Sequence, residues 1–162
     1  EKKINFKVSN KQNFIEYSPL GLKYLKVIFE FVKKNNGGLL IIDYGYFNEK
    51  MQNTLQAIYK QKYSKVLENI GKSDITYNLN YYFIKKICKN FKGLNINFTS
   101  QKNFLTNLGI NQRAEIIGKN KTFSEKSDIF YRLQRLISKK QMGDLFKVML
   151  IKKSNNNSQV GF

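Results

Sequence analysis

Histidine is absent from the chain and Cys88 is its sole cysteine. That excludes an imidazole base, a catalytic triad and an ordinary zinc site, so no metal site is expected. Acid–base and orienting roles must fall to carboxylates, and these are few: 11 acidic residues stand against 29 lysines and arginines. Two aspartates have suggestive neighbours. Asp43 ends the apolar run of GGLLIIDYGYFN, just before Tyr44, Gly45 and Tyr46, and Asp74 stands in GKSDIT between a flexible glycine, Gly71, and the hydroxyl of Thr76. A carboxylate so placed can orient a cationic or N–H-bearing group and take a proton from it. Tyr44 and Tyr46 suit the walls of such a pocket because aromatic faces attract cations. Gly45 suits a conformation or close approach that a side chain would forbid. Plainer readings stand beside these: a turn capped by Asp43 with Gly45, tyrosines that only pack, and helix-start chemistry for Ser73, Asp74 and Thr76.

The elements that must position these residues can be traced along the 162 residues, a length that suits one domain. Ile4–Val8 and Asn13–Tyr17 suggest a short hairpin across the polar NKQ. Ser18-Pro19 starts a helix, with Leu22, Leu25, Ile28, Phe29 and Val32 on one face, and Asn36-Gly37 ends it through a left-handed C-cap. The aliphatic run Leu39–Ile42 then reads as a strand buried on both faces, as in a parallel α/β sheet. Asp43 falls at its carboxyl end, where α/β sheets gather their ligands. Asn48–Lys72 admits either a helix or an extended flap.

Asn78–Phe91 reads as a helix stopped by Gly93, with Cys88 on its core face. LNINF (Leu94–Phe98) reads as a strand. Ser100–Leu108 reads as a short helix ended by Gly109, with Phe104, Leu105 and Leu108 as core. Thr122–Glu125 matches a capping box before another helix, and Leu145–Ile151 reads as a strand. The domain therefore runs over residues 1–153, followed by a polar, frayed tail over 154–162. Three main strands in an α/β order leave a sheet edge unpaired, so the pattern looks like part of a sheet.

The formal net charge is +18, but the excess is lysine alongside abundant Asn, Ile, Phe and Tyr. Coding bias toward AT-rich codons accounts for that without a polyanionic partner, so nucleic acid is not the expected ligand. A lone cysteine fits a reducing compartment. No apolar run approaches the roughly 20 residues of a membrane span and no signal peptide is visible, so a cytoplasmic protein is expected.

IEYSP, GGLLIIDYGY, TLQA, GKSDIT, SQKNFLTNLGI, RLI and MGDLFKVM occur in an order that resembles the MidA-like family of class I S-adenosylmethionine-dependent methyltransferases. The mitochondrial arginine methyltransferases of complex I assembly are relatives in that family. The resemblance runs from about Glu16 to Lys152. It implies an α/β fold, the C-terminal half of a Rossmann-like methyltransferase sheet, with Leu39–Ile42 as the fifth strand, Leu94–Phe98 the sixth and Leu145–Ile151 an antiparallel seventh between them. It further implies that the first four strands lie upstream and that S-adenosylmethionine is held mainly by that half. No G-x-G-x-x-G turn occurs here, so no cofactor-binding residue is assigned and the isolated chain is expected to bind the cofactor poorly. Asp43 and Asp74 become the candidates to orient the acceptor nitrogen of a protein substrate, with a complex I subunit as the implied partner. Tyr44, Gly45, Tyr46, Gln56, Thr76 and Gln101 become candidate substrate contacts. Asn80-Tyr81 stands where the family usually carries Asp-Phe, and a histidine common after TLQA is replaced within YKQK. A non-catalytic interaction module of the same fold, and a basic RNA-binding domain, are the alternative readings.

Overall fold

A computed structural model of the chain describes Lys2, Ile4, Phe6–Val8 and residues 12–162. In chain order the elements are α1 (Pro19–Asn35), β1 (Gly38–Tyr46), β2 (Gln56–Tyr59), β3 (Lys62–Ser64), β4 (Asp74–Thr76), β5 (Leu79–Asn80), α2 (Tyr81–Cys88), β6 (Leu94–Ser100), α3 (Gln101–Asn107), α4 (Ile110–Gly118), α5 (Phe123–Ile137), α6 (Met142–Leu145) and β7 (Phe146–Lys153). They build a four-stranded sheet in the order β5-β1-β7-β6 and a separate three-stranded sheet in the order β3-β2-β4. β7 is antiparallel to both neighbours, while β5 is parallel to β1. The antiparallel strand thus sits between the other two main strands, as the Rossmann-like reading expects.

Local chemistry explains several boundaries. Ser18 accepts a hydrogen bond from the N–H of Gly21, proline occupies the first turn of α1, and Asn36 closes the helix at φ 53°. Thr122 and Glu125 cap α5 reciprocally. α2 starts at Tyr81, not at Asn78, because Leu79–Asn80 first pairs with Gly45–Tyr46 and Asn80 then caps the helix by accepting from the N–H of Phe83. The stretch after β1 resolves as an extended flap: β2 and β3 form a hairpin through Lys60 and Gln61, both at positive φ, and β4 returns beside β2.

Other expectations are corrected. Of the N-terminal hairpin, parts of the first arm and the turn lie outside the described residues, and Phe14–Tyr17 has no sheet pairing. That segment is tied instead to the loop after β1: Gln12 accepts from the N–H of Met51 at 2.6 Å and Glu16 accepts from the hydroxyl of Thr54 at 3.4 Å. Burial raises the pKa of Glu16 above the usual carboxylate range, partly offset by that hydroxyl. Ile110–Gly118 forms a helix the sequence reading passed over; it starts at Gly109 (φ 82°) with no side-chain cap. The tail is docked, not frayed. Lys152 donates to the carbonyl of Ser158, Gly161 is buried, and the ring of Phe162 lies 5.3 Å from that of Phe104.

The core lies on one face of the main sheet, where Leu22 and Phe29 of α1 and Ile84, Ile87 and Cys88 of α2 meet Met149 and Ile151 of β7. Cys88 is a core residue, and burial pushes its thiol up to about 11. On the other face β1 departs from expectation. Leu39 and Ile41 pack on the core, but Leu40 and Ile42 are each 47% exposed. The edge of β1 opposite β7 is paired only at Gly45 and Tyr46 among the described residues. α1 likewise carries a second apolar stripe, Leu20, Tyr24, Val27 and Phe31, that faces solvent. Among the described residues no helix is long and apolar enough to cross a membrane.

Candidate active site

Because β1 and β6 are both antiparallel to β7, they run parallel to each other, and β5 runs with them. Their carboxyl ends therefore meet along one edge of the sheet. Asp43 lies close to that edge but not at its end: β1 continues to Tyr46, so the carboxylate projects from within a paired strand and caps no turn. It is exposed, and its Oδ1 accepts from the N–H of Tyr44 at 2.7 Å. Asp43 is opposite Lys147, which is opposite Ser100 on β6. Side chains directly across adjacent strands share a face, so an acid, a cation and a hydroxyl form one row across the sheet. The Lys147 ammonium turns to the carbonyl of Asp144, and the Ser100 hydroxyl caps α3 by accepting from the N–H of Asn103 at 3.2 Å.

Tyr81 braces this row from the same face of the sheet. It is fully buried, and its hydroxyl donates to the carbonyl of Lys147 at 3.0 Å and lies 3.3 Å from that of Asp43. Burial drives its pKa well above the usual tyrosine range. Gly45 makes this arrangement possible. A Cβ there would lie 2.5 Å from both the carbonyl of Leu79 and the Tyr81 ring. Tyr44 is partly exposed and stacks on Phe146 with centroids 4.3 Å apart. Tyr46 is tied up, its hydroxyl accepting from the N–H of Gln52 at 3.1 Å. Just past the end of β1 lies a cleft of about 330 Å³ lined by Glu49, Met51, Asn80, Tyr82, Phe83 and Lys86 among others.

The remaining candidates fall elsewhere. Asp74, Gln56 and Thr76 belong to the small sheet, where Gln56 is opposite Thr76 and Asp74 is opposite Ile58. Asp74 is exposed, and the Thr76 hydroxyl is buried without a partner among the described residues. Asp43 and Asp74 thus stand on different sheets. Gln101 is 7% exposed and its amide donates to the carbonyl of Leu136 at 2.9 Å, which clamps α3 to the end of α5 instead of lining a pocket. Lys147 and Glu49 escaped the sequence reading, and Tyr81 entered it only as a departure from the family pattern. Only the alternation of Leu145–Ile151, which puts a lysine opposite the β1 acid once register is known, could have signalled the first.

Two helices open at the ligand-gathering edge, α2 and α3. The N-terminus of each is closed by its own side chain, Asn80 for α2 and Ser100 for α3. Neither presents the glycine-lined, open N–H cradle that holds a nucleotide-like cofactor.

Comparison with known proteins gives a consistent result. The family model described as "Putative S-adenosyl-L-methionine-dependent methyltransferase" matches residues 2–99. Among curated proteins, the mitochondrial protein arginine methyltransferase NDUFAF7 of Danio rerio is 24% identical over 116 residues, covering 72% of this chain and 27% of the relative. The Xenopus tropicalis protein of the same name is 24% identical over 137 residues, covering 84% of this chain and 31% of the relative. Among solved structures, an uncharacterized protein of Burkholderia thailandensis superposes with a TM-score of 0.78 at 23% identity over 90% of this chain and 40% of its own. A member of the same superfamily from that bacterium, solved with S-adenosyl-homocysteine bound, superposes at 0.71 and 23% identity over 87% of this chain and 38% of its own. The chain thus spans less than a third of the length of the curated relatives it matches. With its sheet order, strand directions and profile match in agreement, the chain belongs to the MidA-like family of S-adenosylmethionine-dependent methyltransferases.

Proposed function

We propose that this chain is the C-terminal, substrate-side half of a protein methyltransferase of arginine type. One observation carries the reading: the carboxyl ends of β1, β5 and β6 converge on one edge, where Asp43 projects an exposed carboxylate beside Tyr44. S-adenosylmethionine supplies the methyl group when bound; its cradle belongs to the complementary half, not to these residues. Methyl transfer to nitrogen is a displacement whose catalysis is largely alignment. Asp43 accepts N–H donors of the guanidinium, turns one nitrogen toward the methyl group and helps it shed its proton. Tyr44 points to the opposite face of β1, where its stacking on Phe146 braces the end of the strand. Gly45 and the Tyr81 hydroxyl hold the strand in place, and Tyr46 shapes the loop behind it. Asp74 and Gln56 act further out, on the protein segment flanking the acceptor, while Thr76, opposite Gln56 with its hydroxyl buried, and Gln101 are positioning residues.

The complementary half pairs on the open edge of β1 and covers Leu40, Ile42 and the outer stripe of α1. That the matched relatives extend well beyond the aligned region supports this. A respiratory complex I subunit is the substrate that the resemblance implies. The test is Asp43→Asn in the protein carrying both halves. Turnover should fall by roughly 100-fold or more, with melting temperature and cofactor affinity unchanged. Undiminished turnover would remove Asp43 from the mechanism.

A further inference from the structure

The flap carries a feature that the methyltransferase reading does not use. Tyr63, Leu67 and Ile70 are 79%, 82% and 80% exposed, three large apolar side chains within eight residues of one projecting segment. The same segment, from Tyr59 to Lys72, holds four lysines (Lys60, Lys62, Lys65 and Lys72) against the single acid Glu68. Lys65 is the one that pairs with Glu68, at 3.4 Å. Lys60 lies over the ring of Tyr59, 5.4 Å from its centroid.

The hairpin tip adds an independent observation. Lys60 and Gln61 both adopt positive φ, 48° and 63°. Two-residue hairpins of this shape favour Asn-Gly, because other residues are strained there by about 1–2 kcal/mol each. A strained lysine at an exposed tip points to a use for its charge.

We propose that this flap docks on an anionic lipid surface. Tyr63 protrudes from β3, and Leu67 and Ile70 from the loop that follows it, each of them highly exposed. A bilayer interface deforms around each of them, while the intervening ammonium groups remain level with the headgroups. Positive charge over apolar tips is the pairing that anionic bilayers select. The inference does not use the methyltransferase chemistry, but it requires that the complementary half proposed above leave the flap uncovered.

The chain contains no tryptophan, so Leu67→Trp installs a single reporter at an exposed position. On vesicles of phosphatidylcholine mixed with phosphatidylglycerol its emission should shift to the blue, and on phosphatidylcholine alone it should not. A second single reporter, Phe123→Trp, occupies another highly exposed site, on α5, and should not shift. Adding Ile70→Ser to the Leu67→Trp chain should weaken partition roughly tenfold. Adding Lys60→Glu and Lys62→Glu should weaken it at least about 25-fold, at fivefold per lysine lost. Binding without a blue shift at position 67, or an equal shift at position 123, would mean adsorption through the general lysine excess and would overturn the proposal. A shift with poly-glutamate but not with vesicles would assign the flap to an acidic polypeptide and overturn it equally.

Discussion

At the scale of single residues, Asp43 and Gly45 do different work in the same strand. Asp43 presents an exposed carboxylate three residues before the end of β1, whereas Gly45 is chosen for what it lacks. The atoms that a methyl group there would meet are a backbone carbonyl in a paired strand and a fully buried ring, and neither can give way cheaply. Gly45→Ala should therefore lower stability by about 1–3 kcal/mol, measured by urea unfolding. A neutral result would show that β5 and Tyr81 are not seated against β1. Both residues could be singled out from the sequence, because an acid after an aliphatic run and a glycine between aromatics are local signals. Lys147 and Tyr81 could not be placed beside Asp43 in that way. Their relation to Asp43 depends on register across 104 and 38 positions of chain, counted from residue 43 to residues 147 and 81, and no local pattern encodes it.

Among the elements, those with polar punctuation were read correctly, and those without it were missed or blurred. α1 and α5 announce themselves through Ser18-Pro19 and the Thr122–Glu125 box. α4 begins on a bare glycine and buries none of its residues, so neither cap nor stripe marks it. The flap hairpin was ambiguous because Lys60-Gln61 replaces the Asn-Gly that would identify its turn. The α5 cap makes a pH prediction. Lys121 and the N–H and hydroxyl of Thr122 hold Glu125 down to about 2, from an ordinary 4.5. A carboxylate depressed in the folded state contributes stability that is present above about 4.5 and lost as the pH falls toward about 2. Glu125→Gln should therefore be less stable than the parent at neutral pH, and that difference should close across this acid window. A constant difference down to pH about 2 would mean that the cap bonds do not depend on the charge. The site is fully exposed, so salt should shrink the effect.

Across the whole molecule, the order of α and β segments and the antiparallel insertion of β7 between β1 and β6 agree with the expected Rossmann-like sheet. What the sequence hid is which surfaces remain uncovered. Leu39–Ile42 reads as a strand buried on both sides, yet Leu40 and Ile42 are half-exposed and, among the described residues, the edge beside them is unpaired. Periodicity reports that a face is apolar; whether anything covers it depends on atoms beyond that segment. The same holds for the outer stripe of α1, which a single-stripe reading of that helix leaves out. These open surfaces, and the two self-capped helix termini at the ligand edge, support the proposal made above: substrate side present, cofactor side supplied by a complementary half. Calorimetric titration with S-adenosyl-homocysteine tests it most directly, using this chain alone and the chain extended by the coding sequence immediately upstream of Glu1. The account predicts micromolar binding by the extended protein and no saturable heat from the chain alone. Comparably tight binding by both would place the cofactor site within these residues and contradict it.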